Sequence, residues 1–208
     1  LTGESLTFTD PLNRITTWTR DTFGNKLTEK DPLNNTTTFE YDSLGRLKKT
    51  TDADAKQFSQ TYDNNDNIVT VINAVGTTTN TYDKEGRITK TTLPNSTVTQ
   101  YLYNSSGSMT SVIDALNNTT TYGYDSYQNF TSQKDTLSST TTNTYDSLNR
   151  QTQSTTPLGK VSKWEYDANG NITKRVDPNT KTTIYQYDAF NRLTKITYPD
   201  LKTISYQY

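Results

Sequence analysis

Carboxylates recur along the chain at a fixed distance, at Asp21, Asp42, Asp63, Asp83, Asp125, Asp146, Asp167 and Asp188. Paired carboxylates are the machinery of glycoside hydrolysis. The run Asp63-Asn64-Asn65-Asp66-Asn67 also has the oxygen-donor density of a Ca²⁺ loop. Neither chemistry suits the pattern. A catalytic pair occupies two exceptional positions, whereas these aspartates repeat all along the chain. An EF-hand loop needs a glycine at its sixth position, where Ile68 stands, and a distal bidentate Glu that is missing here. The chain has no His and no Cys, so the commonest general base, thiolate ligands and disulfides are excluded. The expectation is a protein that is not an enzyme and uses no cofactor or metal.

The elements that carry these residues must come from an unusual composition. Of 208 residues only 29% are hydrophobic, against the usual near-half. Disordered chains share that poverty, but they combine it with high net charge and few aromatics. Here the formal net charge is −1, 11% of residues are aromatic, and there are 44 Thr and 15 Tyr, both strand formers. No run approaches the ~18 apolar residues of a membrane span, and no signal-peptide pattern opens the sequence. Lys and Arg are spread evenly, without the basic patch that nucleic acid requires.

The dominant signal is an internal repeat. Tyr-Asp recurs at Tyr41-Asp42, Tyr62-Asp63, Tyr82-Asp83, Tyr124-Asp125, Tyr145-Asp146, Tyr166-Asp167 and Tyr187-Asp188, with Tyr103-Asn104 filling the gap. Asp21 and Tyr208 extend the register, and every spacing is 21 residues except one of 20. Asp10, followed by Asn13-Arg14-Ile15, reads as the start of a shorter, 11-residue unit. Three residues after each Asp stands a residue that tolerates positive φ, as at Gly24, Gly45, Asp66, Gly86, Gly107, Asn149, Gly170 and Asn191; only Gln128 departs. An Asp that bonds the backbone two residues on, followed by such a residue, marks a tight turn.

A charged or amide residue follows, then an apolar one (Leu47, Ile68, Ile88, Met109, Phe130, Ile172, Leu193) that opens a strand. A second turn comes about ten residues after the first, at Asp31-Pro32, Asp52, Asn73, Leu93-Pro94, Asp114, Asp135, Thr156-Pro157 and Asp177-Pro178. Pro presets φ there. A Thr-rich strand returns to the next Tyr-Asp, so one unit is two strands and two turns. Alternation puts Phe39 and Tyr41 on one face, and likewise Tyr101 and Tyr103, Trp164 and Tyr166, Tyr185 and Tyr187. Equivalent residues of successive units lie about 9.6 Å apart, close enough for side-chain ladders to carry stability in place of a deep core.

The fold class expected is all-β: a repetitive antiparallel β-hairpin array of 21-residue units. Residues 1–208 read as a single array of about nine repeats, a segment of a longer one. Nine units imply roughly eighteen strands, and a sheet that wide is expected to curl into a spiral wall, shell or tube.

Tyr41-Asp42-Ser43-Leu44-Gly45-Arg46-Leu47 and Tyr187-Asp188-Ala189-Phe190-Asn191-Arg192-Leu193-Thr194 resemble the YD repeat of the RHS (rearrangement hotspot) family. The resemblance covers the whole chain. It implies a long β-sheet that spirals into a hollow shell. In bacterial polymorphic toxins and insecticidal Tc complexes, such a shell encloses a toxic C-terminal effector domain. Wall-associated proteins and teneurins carry similar arrays on the cell surface. The implied setting is therefore secreted or cell-surface, and the implied partners are further repeats of the same protein, identical copies, or an enclosed effector. The family's core element, Pro…Asp-Pro-x-Gly-Leu with autoproteolytic Asp residues, has no match. The pairs Asp10-Pro11, Asp31-Pro32 and Asp177-Pro178 are turn copies.

The structural positions expected from the repeat are thus Tyr41, Asp42 and Gly45; Tyr62 and Asp63; Tyr82, Asp83 and Gly86; Tyr103 and Gly107; Tyr124 and Asp125; Tyr145 and Asp146; Tyr166, Asp167 and Gly170; and Tyr187 and Asp188. The alternative function is an adhesion module binding cell-wall or host glycans through exposed aromatics. The two Trp, Trp18 and Trp164, are few for such a module, and structural Tyr ladders are the stronger expectation. Asn-x-Ser/Thr triplets at Asn34, Asn35, Asn95, Asn104, Asn117, Asn118, Asn129 and Asn171 follow from the Thr content alone.

Overall fold

The computed structural model describes residues 5–208. It contains twenty β-strands and no helix among them. The chain falls into two compact units, residues 1–100 and 101–208.

In the first unit the strands are β1 (Ser5–Thr9), β2 (Ile15–Arg20), β3 (Lys26–Lys30), β4 (Thr36–Tyr41), β5 (Leu47–Thr51), β6 (Gln57–Tyr62), β7 (Ile68–Asn73), β8 (Gly76–Tyr82) and β9 (Ile88–Thr92). Strand β10 (Val98–Tyr103) pairs antiparallel with β9, Val98 facing Thr92. Then come β11 (Met109–Ile113), β12 (Thr119–Tyr124), β13 (Phe130–Lys134), β14 (Thr140–Tyr145), β15 (Gln151–Thr155), β16 (Val161–Tyr166), β17 (Ile172–Val176), β18 (Thr182–Tyr187), β19 (Leu193–Thr197) and β20 (Thr203–Ser205). From β1 to β10, and again from β11 to β20, each strand pairs antiparallel with its sequence neighbour.

The count exceeds eighteen because β1 and β20 flank the nine Tyr-Asp-type turns. Asp10, read as opening a short unit, instead sits in the second-turn series: it follows β1, and Asp31 and Asp52 follow it at 21-residue intervals. The single 20-residue spacing has an equally local cause. Between β7 and β8 the loop is one residue shorter, with Asn73 paired directly to Gly76. Gly76 takes φ +135°, and a Cβ there would lie 2.7 Å from Pro94 Cβ on the next turn. Only glycine suits that position.

Pairing fixes the faces. In the first unit Leu6, Trp18, Phe39, Tyr41, Phe58, Tyr62 and Tyr82 share one face. In the second, Tyr122, Tyr124, Phe130, Tyr145, Trp164, Tyr166, Tyr185 and Tyr187 do the same. The other face is threonine-rich. Hydroxyl pairs cross it at Thr19–Thr28 (2.7 Å) and Thr61–Thr70 (2.6 Å), and Lys174 Nζ donates to Glu165 at 2.8 Å. No described side chain is buried. The sheet has no hydrophobic core, so its order rests on backbone pairing and cross-strand side-chain contacts.

Candidate functional site: the Tyr-Asp turn ladder

Each Tyr-Asp turn is a five-residue hairpin loop. At Asp42 the backbone N–H donates to the Arg46 carbonyl (2.9 Å), and the Asp42 carbonyl accepts from Gly45 N–H (3.0 Å). This is a type I turn closed by a residue in the left-handed region. The Asp42 carboxylate locks it: Oδ1 accepts from the amides of Leu44 (2.9 Å) and Arg46 (3.0 Å), and Oδ2 accepts from Arg46 Nε (2.8 Å). Asp83, Asp146 and Asp188 repeat the arrangement with Arg87, Arg150 and Arg192. Asp21, Asp63, Asp125 and Asp167 repeat it with Asn25, Asn67, Asn129 and Asn171. Asn104 keeps the two amide bonds, to Ser106 and Ser108. Gly45, Gly86, Gly107 and Gly170 hold φ of +78°, +77°, +92° and +91°.

These bonds set the carboxylate chemistry. The amide and side-chain donors of Arg150 hold the Asp146 carboxyl below its ordinary value against the opposing desolvation, and those of Arg192 act alike on Asp188. At Asp125 and Asp167 the leading cause is the Asn129 or Asn171 side-chain amide, again opposed by desolvation. A carboxylate stabilised as an anion and committed to its own turn is a poor general acid. The Asp63–Asn67 run adopts the same lock, with Asp63 accepting from Asn65 and Asn67.

The tyrosines Tyr41, Tyr62, Tyr82, Tyr103, Tyr124, Tyr145, Tyr166 and Tyr187 are the last residues of β4, β6, β8, β10, β12, β14, β16 and β18. Beside seven of these Tyr-Asp-type turns, and beside Arg20 at the turn opened by Asp21, the strand register shifts by one residue. Glu40 faces Lys49, for instance, yet Tyr41 faces Leu47. A bulge of this kind bends its strand and disrupts the ladder locally. On the far side of the hairpin the β3–β4 pairing ends at Thr28 and Thr38. The tyrosine bridges that opening: Tyr41 Oη donates to the Lys26 carbonyl of β3 at 2.9 Å. The same bond joins Tyr62 to Leu47, Tyr82 to Ile68, Tyr124 to Met109, Tyr145 to Phe130, Tyr166 to Gln151, Tyr187 to Ile172 and Tyr208 to Leu193, at 2.7–3.0 Å. Burial raises the Tyr145 phenol, helped by the Asp125 charge, so its donor proton is retained. Burial likewise leads the upward shift at Tyr187.

Arginine adds a second contact. The guanidinium groups of Arg46, Arg150 and Arg192 stack 4.4, 4.6 and 4.6 Å from the ring centroids of Tyr62, Tyr166 and Tyr208. Ring-on-ring contact occurs at Phe130, against Tyr122 and Tyr124. The expected aromatic ladder is therefore joined largely through carbonyl oxygens and guanidinium groups.

A further link was not foreseen from the sequence. In several units the side chain four residues after the Asp, or after Asn104, reaches the following turn. Arg46 Nη1 bonds Asp66 Oδ1 (2.6 Å), Ser108 Oγ bonds Gln128 Oε1 (2.8 Å), Asn129 Nδ2 bonds Asn149 Oδ1 (2.8 Å) and Asn171 Nδ2 bonds Asn191 Oδ1 (2.9 Å). Arg46 Nη1 also bonds the Asp63 carbonyl (3.0 Å), and Arg150 Nη1 makes the same carbonyl bond to Asp167 (2.8 Å) in the turn that has Gly170. Part of this was legible: the fourth position carries a donor side chain in every unit, and a third position that is not glycine offers it an acceptor. Gln128, the apparent exception, takes φ +66° and serves as such an acceptor.

The architecture and this ladder define a class: an all-β array of like hairpins clamped one to the next at one edge. The RHS Repeat family model matches residues 25–57, 41–78, 82–119 and 166–208, more than half the chain. The chain belongs to the RHS repeat family. Among solved structures it is similar to TcdB2-TccC3, at 13% identity and TM-score 0.63, over 88% of this chain and 12% of that one. It is also similar to a chain of the Tc holotoxin pore of Photorhabdus luminescens, at 16% identity and TM-score 0.54, over 89% of this chain and 13% of that one. At such identities the likeness is one of fold. The chain spans only about an eighth of those chains' length. No curated protein matches it significantly.

Proposed function

We propose that these residues are a non-enzymatic structural wall, one stretch of a longer RHS-repeat array in a secreted or cell-surface protein. The observation that carries this reading is where the polar and aromatic groups are spent. The recurring geometry of the turns uses the Asp to close its own hairpin, the Tyr to bind the preceding hairpin, and the fourth-position side chain to reach the next one. Such a device extends a sheet indefinitely and offers no convergent site. The likeness in fold to TcdB2-TccC3 supports the form in which the wall encloses cargo, with further repeats and an effector domain as partners. An extended tube or filament built from the same hairpins is the other form of the same scaffold.

Cryo-electron microscopy of the purified native protein separates the two. Closed hollow particles with internal density establish the encapsulating form. Long uniform tubes establish the filament and remove the enclosed effector. Turnover of any substrate that disappears on replacing one Asp overturns the scaffold reading itself.

A glycan-binding role is favoured by one feature: Trp164 and Tyr185 lie on the aromatic face, two residues before the clamping Tyr166 and Tyr187 and outside the clamp. It requires binding to wall polysaccharide that Trp164→Ala abolishes while the thermal melt stays unchanged.

A further inference from the structure

The link between the Asp167 and Asp188 turns carries a second bond. Asn191 Oδ1 accepts from Asn171 Nδ2 (2.9 Å) and also from Asn169 Nδ2 (2.9 Å). Asn169 stands exposed at the tip of its turn and is followed by Gly170, the one Asn-Gly pair in the sequence. An asparagine side-chain amide is open to attack by the backbone nitrogen of the next residue. A glycine there has no Cβ to hinder the approach.

Restraint separates Asn169 from the other turn asparagines that precede a small residue. Asn95 and Asn104 precede Ser96 and Ser105. Their side-chain oxygens accept backbone N–H groups of their own turns, Thr97 for the first and Ser106 and Ser108 for the second. Asn169 commits only its backbone N–H to its turn, donating to Asp167 Oδ1 at 3.0 Å. Its side chain is held by the exposed bond to Asn191. The attacking nitrogen is also loosely held: Gly170 N–H donates to the Asp167 carbonyl at 3.2 Å, the long end for such a bond. A Cβ at Gly170 would meet nothing within 4 Å, so the glycine faces open space.

We propose that Asn169 is a deamidation site and that its bond to Asn191 is the catch that keeps it unreacted. Reaction begins when that bond opens and Gly170 N–H leaves the Asp167 carbonyl. The Gly170 nitrogen gives its proton to hydroxide and bonds to Asn169 Cγ, while Nδ2 takes a proton from water and departs as ammonia. The cyclic imide then takes up one water molecule and opens to aspartate or isoaspartate. Either product lacks the proton that Asn191 Oδ1 accepted and brings a new negative charge toward the Asp167 and Asp188 turns. Isoaspartate also lengthens the loop backbone by one methylene, so the loop no longer closes on the same bonds. The reaction uncouples one hairpin from the next, in a shell and in a filament alike.

Peptide mapping by mass spectrometry tests it, on the 208-residue protein incubated folded in mildly alkaline buffer. The expected result is conversion that accumulates at Asn169 before any other asparagine and quickens as pH rises. Asn191→Gly removes the acceptor and installs the commonest residue of that position, so the turn stays folded. It is expected to speed conversion at Asn169 about two- to fivefold, the factor an exposed hydrogen bond is worth. Converted protein, separated by its added charge, is expected to melt at a lower temperature than the unconverted form. Conversion that starts at Asn95 or Asn104 overturns the proposal. So does an Asn169 that stays intact in folded Asn191→Gly while the urea-unfolded chain converts, because the turn then blocks the attack without the catch. Equal rates in the native chain and Asn191→Gly, or equal melting temperatures before and after conversion, overturn the role given to the bond.

Discussion

The two edges of the hairpins use the same turn and hold it differently. At Asp52 the backbone bonds to Lys56 and Ala55 reproduce those at Asp42 to Arg46 and Gly45. Yet at the Asp52 edge the strands run in unbroken register into the turn, whereas a bulge stands beside the Tyr-Asp turns. At Asp52 the side chain serves its own turn, accepting from the amides of Asp54 and Lys56. At the Tyr-Asp edge, phenol, guanidinium and amide groups tie each turn to its neighbours. The bulge explains the asymmetry. It splays adjacent hairpins at one end, and the chain compensates with a side chain long enough to reach the stranded carbonyl. One edge joins units; the other only reverses the chain.

The broadest way to challenge this comparison is acid. Carboxyls lie below their ordinary value of 3.8 at Asp21, Asp42, Asp63, Asp83, Asp125, Asp146, Asp167 and Asp188 on the Tyr-Asp edge. On the opposite edge the same holds for Asp10, Asp31, Asp114 and Asp200. A carboxyl depressed in the folded state contributes stability that is fully present above the unfolded pKa and is lost as pH falls through the folded one. Stability is therefore expected to hold down to about pH 4 and then collapse, with most of the loss arising at the Tyr-Asp edge. Circular dichroism melts across that range check it. A melting temperature unchanged at about pH 2 contradicts the role given to the carboxylate locks.

The next largest effect belongs to Gly76, where two neighbouring turns of the opposite edge come close. Gly76→Ala places a Cβ against Pro94 and keeps φ at +135°. The combined strain and overpacking is expected to cost about 3 kcal/mol, read as a lowered denaturation midpoint. A shift below about 1 kcal/mol shows that the short loop has another conformation open to it.

Left-handed positions give opposite signs according to the residue they hold. Gly170→Val puts a β-branched residue at φ +91° and is expected to destabilise by about 1–2 kcal/mol. Steric room is not the issue, since a Cβ at Gly170 meets nothing within 4 Å. Thr180 already has that strain, at φ +65°, so Thr180→Gly is expected to stabilise by about 1 kcal/mol. Equal signs for the two substitutions contradict the left-handed geometry given to both turns. Smaller again, Tyr166→Phe removes the bond to the Gln151 carbonyl and keeps the ring under Arg150, with an expected loss of about 1 kcal/mol.

The hairpin repeat was legible because its period is carried by residues with strong local preferences, Asp at the turn entry, Gly or Asn at positive φ, and alternating strand formers. The second turn was only half legible. Its left-handed residues include Ala55, Ser96, Ser138, Thr180 and Leu201, none of which announces positive φ, and the backbone bonds impose it. Asp10 was misplaced for a related reason: both turns begin with Asp, and the sequence does not label the edge. The clamp was hidden more deeply. A Tyr at the end of a strand signals burial on a pleated surface, but its hydroxyl finds a carbonyl fifteen residues upstream only because of a bulge that no single residue type marks.

Gln128 offers the finest comparison within the Tyr-Asp edge itself. Gln128→Gly removes a side chain from φ +66° and restores the commonest residue of the repeat, a gain of roughly 0.5–1 kcal/mol. The same change deletes the acceptor of Ser108 Oγ, an exposed bond worth about 0.5 kcal/mol. The two nearly cancel, and the net effect is neutral to slightly stabilising. Ser108→Ala, made once in the native chain and once on top of Gln128→Gly, resolves the parts. In the native chain it costs the bond. On top of Gln128→Gly, where the side-chain acceptor is already gone, it costs nothing. A Ser108→Ala effect that is identical in both backgrounds means the turns are not linked through this pair, and at that step the ladder then depends on the Tyr124 clamp to the Met109 carbonyl.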